Sequence, residues 1–372
     1  MGMTASAPLV SVIVPIYSGR DYFTEFLECL QSQTLREIEM IFIDDCGTDG
    51  AFELAQKAAE TDSRIRLIRN SRNMGPGVSR NKGIAAAQGK YLAFADSDDI
   101  IPPDYYERLY HTAEEKAALV VKCGRANLYE DGTVVPSMLN ANIKAALANG
   151  VHVVNAFEWE HTTAIYNREH ALNNNARNSD SRQDEDTTFI MEVLHNVSER
   201  QFALIEDLYY YYRVHEQSVT RTLDYAYLVE SIKSMNDKLD FILSQKSTPQ
   251  LETYAARIID NRANWRFRHA RCSDAISYGQ KEEYIRMILD SVARYRRHRP
   301  LHELFGPAML LENGTLSIRE YIDSVMLAKK SRFWLLFRYW CYMFKASITW
   351  GNAGRRYKAK RNSLKAELRE MK

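Results

Sequence analysis

Short apolar runs alternate with amphipathic segments through the first hundred residues. Runs of β-branched and aromatic residues, stopped by proline or acidic residues, predict strands at 10–16, 38–43, 65–68 and 91–95. Apolar residues at helical spacing predict helices between them, at 21–33, 51–60 and 78–87. This alternation is typical of an α/β fold, with a mostly parallel sheet flanked by helices on both faces.

After residue 100 the pattern becomes less regular. It predicts helices at 105–117, 140–150 and 184–194, and strands at 118–121, 125–129, 163–166 and 208–214, with a hairpin turn at Asp131-Gly132. Residues 173–180 are polar and turn-rich, so we expect a mobile loop there. From about residue 224 the periodicity is helical nearly to the end. We therefore expect two domains, an α/β domain at 1–222 and an all-helical extension at 223–372.

Carboxylates follow two of the predicted strands at the point where each strand ends. Asp44 and Asp45 follow the second strand, and the sequence Asp96-Ser97-Asp98-Asp99 follows the fourth. The carboxyl ends of parallel strands meet at one edge of the sheet, where ligands bind in open α/β folds. An Asp-x-Asp pair offers hard oxygen ligands that suit Mg²⁺ or Mn²⁺ bridging nucleotide phosphates. Acidic residues after a strand also form turns and helix caps, so the triplet alone leaves both interpretations open.

Composition narrows the class of protein. The 372 residues carry 49 Lys and Arg against 48 Asp and Glu, a balance that argues against a general nucleic-acid binder. The five cysteines have neither CxxC nor metal-ligand spacing, which indicates no disulfide framework and no zinc site. The start of the chain has no signal-peptide pattern, and no apolar run reaches membrane-spanning length. We therefore expect a cytoplasmic protein, peripheral at most at the inner face of a membrane.

Seven stretches of this sequence, in order and spacing, closely resemble the family-2 glycosyltransferases. The resemblance covers about residues 9–221 and rests on VSVIVPIY at 10–17, QT at 33–34, IDD at 43–45, NMGPGVSRNKG at 73–83, FADSDD at 94–99, and EDTTF at 185–189 with YRVHEQS at 212–218. It implies the A-type nucleotide-sugar transferase fold (GT-A). It also implies a metal-dependent, inverting transfer of a sugar, from a UDP-sugar, to a hydroxyl of a glycan or lipid-linked acceptor in cell-surface polysaccharide synthesis. The helices that follow resemble no family.

The resemblance also assigns the donor-binding residues. It implies that Tyr17 lies against the uracil ring, that Asp45 accepts a hydrogen bond from the base, and that Asn73 and Arg80 contact phosphate or base beside two glycines. Pro15, Ser97 and Arg213 complete the expected nucleotide-sugar site. The alternatives are a half-buried core tyrosine for Tyr17 and a solvated arginine for Arg80, while Asp44 is expected to cap the turn that follows it.

The same comparison assigns a metal site and a catalytic base. It implies that Asp98 binds Mn²⁺ or Mg²⁺ directly, that Asp96 reaches the ribose or the metal, and that His215 approaches the metal or diphosphate. It also implies that Asp186, next to Glu185 at a helix start, is the base that activates the acceptor hydroxyl. The alternatives are a structural histidine and an acidic helix cap. Asp99 is expected to cap local backbone.

Two questions stay open at the level of sequence. Aromatic and basic residues are concentrated at 333–361, which predicts either a helix at a membrane surface or an ordinary packing or dimerising helix. A catalytically inactive protein that binds nucleotide-sugars on the same fold, or that serves as an assembly partner, is the rival to an enzyme. A Rossmann-type oxidoreductase is excluded because the first strand lacks a G-x-G-x-x-G loop.

Overall fold

The computed structural model describes residues 7–137, 139–157, 160–215, 224–262, 275–299, 317–320 and 322. The chain divides into two compact units, Met1–Val219 and Thr220–Lys372, and we treat each unit by itself. The domain boundary predicted between residues 222 and 223 lies outside the described residues.

Four parallel strands form the first half of a mixed sheet. They are β1 (Val10–Ile16), β2 (Ile38–Asp44), β3 (Ile65–Arg69) and β4 (Tyr91–Phe94), in the order β3-β2-β1-β4. The register places Val10 beside Ile38 on one side and Tyr91 on the other. Helices α1 (Arg20–Gln31), α2 (Ala51–Ala59), α3 (Pro76–Ala86) and α4 (Tyr105–Glu115) flank these strands. The α/β class and these elements are confirmed. Apolar, β-branched runs are typical of parallel strands in a sheet covered on both faces.

The second half of the sheet joins the first through antiparallel pairing. Its strands are β5 (Val120–Tyr129), β6 (Val134–Pro136), β7 (Ala164–Asn167) and β8 (Phe202–Val214), with β7 antiparallel between β4 and β5 and β8 parallel to β5. The sequence wrongly predicted two strands at 118–121 and 125–129. They are one strand, with an irregularity in its pairing between Lys122 and Gly124 that interrupts the alternation of side chains.

Residues 174–184 form a packed loop, where the sequence predicted a mobile loop at 173–180. They connect α7 (Arg168–Asn173) to α8 (Glu185–Leu194), and Asn178 and Ser179 are buried. The backbone N–H of Asn178 donates to Asn81 Oδ1 at 2.8 Å, and Asn81 Nδ2 donates to the Asn178 carbonyl at 2.8 Å. A Cβ at Gly77 would lie 1.9 Å from the Ser179 carbonyl oxygen. Gly77 therefore permits a close approach of two protein segments, where the sequence suggested a close approach to a ligand.

Two further helices complete the first unit, α5 (Leu139–Ala148) and α6 (Val153–Ala156). The described part of the second unit is helical, as expected, with α9 (Tyr225–Ser244), α10 (Pro249–Asn261) and α11 (Tyr278–Arg296). Tyr295 on α11 donates to Glu252 Oε2 on α10 at 3.0 Å. None of the described helices is long and apolar enough to span a membrane. The aromatic and basic stretch at 333–361 lies outside the described residues.

Candidate active site

The candidate site lies where β1, β2, β4 and β8 end. β1 leads into Tyr17, whose side chain is half exposed, and β2 leads into Asp45. β4 leads into the turn from Asp96 to Asp99, and β8 ends next to His215. The Asp98 carboxylate contacts His215 although the two residues are 117 positions apart in sequence. The topology thus brings together motifs that the sequence presents separately.

Asp45 holds the loop that precedes α3. Its Oδ1 accepts hydrogen bonds from Asn70 Nδ2 and from the Met74 N–H, both at 2.7 Å, and its Oδ2 accepts from the Gly75 N–H at 2.7 Å. Asp44 accepts from the Gly47 N–H at 3.0 Å, which is the turn cap that the sequence predicted. The Asp45 carboxylate therefore fixes the loop at the start of α3, and its contact with a base stays a prediction.

Strand β8 fixes the acidic turn after β4. The Arg213 backbone N–H donates to Asp99 Oδ1 at 2.9 Å, and Arg213 Nε donates to the Asp98 carbonyl at 2.8 Å. The Asp96 N–H donates to the Tyr210 hydroxyl at 3.1 Å. Asp99 thus anchors a distant strand rather than local backbone, and burial together with the Asp98 charge raises its pKa well above the ordinary value.

Asp98 and His215 are the side chains best placed to hold a metal ion. His215 Nε2 lies 2.9 Å from Asp98 Oδ2, and the imidazole packs against the Tyr22 ring at 4.8 Å between centroids. Two ligands bound to one ion at about 2.1 Å and at right angles are about 3 Å apart, so this spacing fits a shared Mg²⁺ or Mn²⁺. Burial raises the pKa of Asp98, and the Asp96 charge adds to the effect. A bound divalent cation would stabilise the ionised carboxylate and so counteract both burial and the Asp96 charge.

The fit is limited to this pair of protein ligands. The described residues contain no set of three or more His, Cys, Asp or Glu side chains around one ion position. Asp96, the other expected ligand, instead accepts a hydrogen bond from Arg80 at its Oδ1. Diphosphate oxygens and water would complete the coordination, as is usual for Mg²⁺.

Arg80 joins the acidic turn to helix α8. Its two terminal nitrogens donate to Asp96 Oδ1 at 2.7 Å and to Glu185 Oε1 at 2.5 Å, and the side chain is only 5% exposed. The charges of Asp96 and Glu185 raise the pKa of Arg80, against the effect of burial. Burial raises the pKa of Glu185, and Arg80 counteracts it. The contact of Arg80 with phosphate stays a prediction, because both terminal nitrogens are already engaged with carboxylates.

Asp186 faces His161, a buried histidine that no sequence motif indicates. His161 Nδ1 lies 3.9 Å from Asp186 Oδ2, and the imidazole stacks on Phe94 at 4.4 Å between centroids. Burial, with a smaller effect of the Arg80 charge, holds the pKa of His161 well below its ordinary value, so the ring is neutral. Phe189, one turn along α8, is fully buried and packs edge-on against Phe94 at 5.0 Å. Helix α8 is therefore fixed against β4 beside Asp186.

The remaining predicted residues differ in how the structure places them. Pro15 lies in β1 beside Ile43, and Ser97 is buried within the acidic turn. The backbone carbonyl of Asn73 accepts a long hydrogen bond of 3.5 Å from the Arg182 side chain. Arg213 also pairs with Glu25 and lies over the Tyr22 ring. Sequence reasoning missed the Arg80 bridge, His161 and Tyr210, because their roles depend on contacts across the fold.

Residues 11–178 match the family model described as glycosyl transferase family 2. This part of the chain belongs to that family. Curated relatives include the putative glycosyltransferase EpsH of Bacillus subtilis, 41% identical over 33% of this chain and 36% of its own length. The putative teichuronic acid biosynthesis glycosyltransferase TuaG of the same organism is 37% identical over 37% of this chain and 55% of its own length.

Solved structures show the same fold over most of the chain. S. aureus TarS 1-349 in complex with UDP-GlcNAc superposes with a TM-score of 0.65 at 20% identity, covering 86% of this chain and 90% of TarS 1-349. The complex with UDP gives a TM-score of 0.64. The GT-A type of fold is thereby confirmed. The matches to EpsH and TuaG span about a third to a half of those relatives' length.

Proposed function

We propose that this chain transfers a sugar from a nucleotide-sugar donor, a UDP-sugar, to a hydroxyl of a glycan or lipid-linked acceptor, with inversion. One observation carries the proposal: a candidate metal pair, a buried arginine bridge and a candidate base meet at one sheet edge from separate parts of the sequence. The match of residues 11–178 to the family model and the name of EpsH support glycosyl transfer, and the name of TuaG supports polysaccharide synthesis. The TarS complexes with UDP and UDP-GlcNAc support the choice of donor.

The donor side of the site would use Tyr17, Asp45 and the acidic turn. The exposed ring of Tyr17 offers a face for uracil, and Asp98 with His215 would hold the ion. When bound, Mn²⁺ or Mg²⁺ neutralises charge on the departing diphosphate. Arg80 holds the Asp96 carboxylate in one orientation, and the Arg213 contacts hold the turn in place. These residues orient the donor so that its anomeric carbon faces Asp186.

Inversion requires the acceptor hydroxyl to attack from the face opposite the leaving group. A carboxylate must then take the hydroxyl proton, within hydrogen-bond reach of its oxygen. Glu185 is held by Arg80, and Asp186 lies 3.9 Å from the neutral imidazole of His161, which carries no charge that would neutralise the carboxylate. Asp186 is therefore the better base of the two, and Glu185 is a positioning residue through Arg80.

The test is release of nucleoside diphosphate from a panel of UDP-, GDP- and TDP-sugars, with Mn²⁺, with Mg²⁺ and with chelator. We expect turnover of a UDP-sugar that requires the metal and that falls about a hundredfold or more in Asp98→Asn. Asp104→Asn, a half-exposed residue outside the site, is the matched control.

Full activity in chelator would contradict the assigned metal pair. Tight binding of a UDP-sugar without transfer or hydrolysis, across a broad set of acceptors, would favour the rival interpretation, an inactive nucleotide-sugar-binding protein. Membrane association through residues 331–372 is a separate proposal, tested below.

A further inference from the structure

A second charged cluster lies on the face of β5 and β8 beyond the acidic turn. Arg125 on β5 forms an ion pair with Glu160, and its guanidinium lies 5.3 Å from the centroid of the Tyr212 ring on β8. The side chains of Arg125 and Glu160 are 28% and 18% exposed, so a solute can reach them. Lys122 donates to Thr163 Oγ1 and lies 4.8 Å from the Phe157 ring, which leaves its charge close to Glu160.

This cluster holds an unusual concentration of unmet hydrogen-bonding capacity. Arg125 Nε, Asn127 Oδ1 and Glu160 Oε2 are buried and find no hydrogen-bond partner in the part of the chain that the structure describes. Buried polar atoms are nearly always paired in folded proteins, because burial removes water without replacing it. The three atoms are one hydrogen-bond donor and two acceptors. A ligand with hydroxyl groups can pair with all three, since a hydroxyl both donates and accepts.

The cluster is continuous with the candidate active site on two sides. Glu160 immediately precedes His161, whose Nδ1 lies 3.9 Å from Asp186 Oδ2. In the parallel pairing of β5 with β8, Arg125 lies beside Tyr210, and Asn127 lies beside Tyr212. Neighbouring residues in register point to the same face of a sheet, and Tyr210 is the residue whose hydroxyl accepts from the Asp96 N–H. The same face therefore carries both the acidic turn and the cluster.

We propose that Arg125, Asn127 and Glu160 bind the acceptor, as the subsite for hydroxyl groups of an uncharged sugar next to Asp186. The proposal rests on the proposed function, which it extends to the class of acceptor. An ionised carboxylate or phosphate has no hydrogen to donate to Asn127 Oδ1 or Glu160 Oε2, so an anionic sugar group is disfavoured there. A lipid chain would leave all three polar atoms without hydrogen-bond partners. The Arg125–Glu160 pair holds each polar group in a fixed orientation, which gives a hydroxyl pair a defined place.

The test measures sugar binding and donor binding separately on the full chain. Methyl glycosides of glucose, galactose and N-acetylglucosamine serve as acceptor probes, detected by saturation-transfer difference NMR. UDP-GlcNAc with Mn²⁺ serves as donor probe, measured by calorimetry. Glu160→Gln removes the charge at constant shape, and Glu206→Gln on β8 is the control, because Glu206 also pairs with a cation, Lys144, but at the exposed surface.

We expect Glu160→Gln to weaken binding of at least one methyl glycoside about tenfold or more, with donor affinity within about twofold of wild type. Glu206→Gln should leave both unchanged. Should Glu160→Gln fail to fold, the double variant Arg125→Gln/Glu160→Gln, which removes both members of the ion pair, carries the same expectation.

Three results would overturn the proposal. The first is unchanged sugar binding in Glu160→Gln and in the double variant, and the second is no binding of any methyl glycoside by the wild type. The third is a loss of donor affinity with sugar affinity unchanged, which would place the Arg125–Glu160 pair on the donor side. A wild type that binds a methyl glycoside through Glu160 but binds no nucleotide-sugar would leave the subsite in place and refute the proposed function instead.

Discussion

At the scale of single residues, neighbouring carboxylates acquire different roles from their partners. Glu185 and Asp186 are adjacent at the start of α8, yet the first is held by Arg80 and the second faces His161. Asp98 and Asp99 differ in the same way, since the first contacts His215 and the second anchors the Arg213 backbone. The identity of a residue fixes what it can do, and its contacts decide which of those things it does.

Asp186→Asn is the sharpest test of the proposed base. The substitution removes the proton acceptor at nearly constant shape, so transfer should fall about a hundredfold or more. Donor affinity should stay nearly intact, because the base contacts the acceptor. Steady-state transfer rates and calorimetric donor binding measure the two quantities. Asp207→Asn, at an exposed ion pair with Arg108, is the matched control.

A transfer rate within about tenfold of wild type, a barrier change of only about 1.4 kcal/mol, would refute the assignment. Glu185 would then be the candidate base.

His161 should make the folded protein sensitive to mild acid. Its pKa is lowered in the folded state, so below its unfolded value of about 6.5 the unfolded chain binds a proton that the folded chain does not. The free energy of unfolding should therefore fall as pH decreases below about 6.5, by up to about 1.4 kcal/mol per pH unit from this group. Urea unfolding between pH 7.5 and 5 measures the slope.

His161→Phe keeps a ring against Phe94 and removes the proton-binding nitrogens. The variant should lose part of the acid sensitivity. His152 and His195, whose pKa values are also lowered by burial, remain in both proteins, so the difference isolates His161. Identical slopes in the two proteins would show that His161 is already protonated, or accessible, in the folded state.

At the scale of elements, the start of α3 and the loop before α8 depend on each other. Gly77 lies against the Ser179 carbonyl, and the Ser179 N–H donates to the Glu185 carbonyl at 3.0 Å. A displacement of Gly77 or Ser179 would therefore shift the first turn of α8, which carries Glu185 and Asp186.

Gly77→Ala is expected to destabilise the protein by about 1–3 kcal/mol and to reduce transfer, because the added Cβ has no room. Gly279→Ala on α11 is the control, since a Cβ there meets no atom within 4 Å. It should change stability by less than about 1 kcal/mol, in the stabilising direction. Thermal unfolding and transfer assays measure both, and equal behaviour of the two variants would contradict the tight contact.

The sequence predicts helices and strands well where the apolar residues follow one clear period. It predicts them poorly where contacts with distant segments determine the structure. The first four strands are buried runs whose period and ends are visible in the residues themselves. The sequence predicts two strands where β5 is one, because a bulge and a strand end look alike without the partner strand. It predicts a mobile loop at 173–180, because the partners that bury the polar groups there, such as Asn81, are distant in sequence.

The candidate site was predicted in the same uneven way. The acidic turn and the Glu-Asp pair are local motifs and could be found by resemblance. The bridge made by Arg80 joins residues 16 and 105 positions away, and no local pattern announces it. His161 has no motif around it, so only the stacking on Phe94 and its place beside Asp186 reveal it.

At the scale of the whole molecule, the predicted tail is the part most open to experiment. Aromatic residues at 333–350 lie among basic residues that continue to 361, a combination that interfacial helices use. We expect the full chain to float with vesicles containing anionic lipid, and a chain lacking residues 331–372 to lose that binding. Each cation near such a surface contributes about 1 kcal/mol, so raising the salt concentration should weaken flotation.

Flotation with neutral lipid alone serves as the control. If deletion leaves binding to anionic vesicles unchanged, or if the full chain does not bind them, the stretch belongs to an ordinary packing or dimerising helix.

The guanidinium of Arg80, shared between Asp96 and Glu185, couples the binding of donor and acceptor. Because one cation serves both Asp96 and Glu185, a ligand that draws on Asp96 changes the electrostatic balance at the start of α8, and the reverse holds as well. Thermodynamic linkage then requires donor and acceptor to alter each other's affinity by the same factor. We expect binding isotherms for an acceptor to differ with and without a donor, and Arg80→Met to bring the two isotherms together.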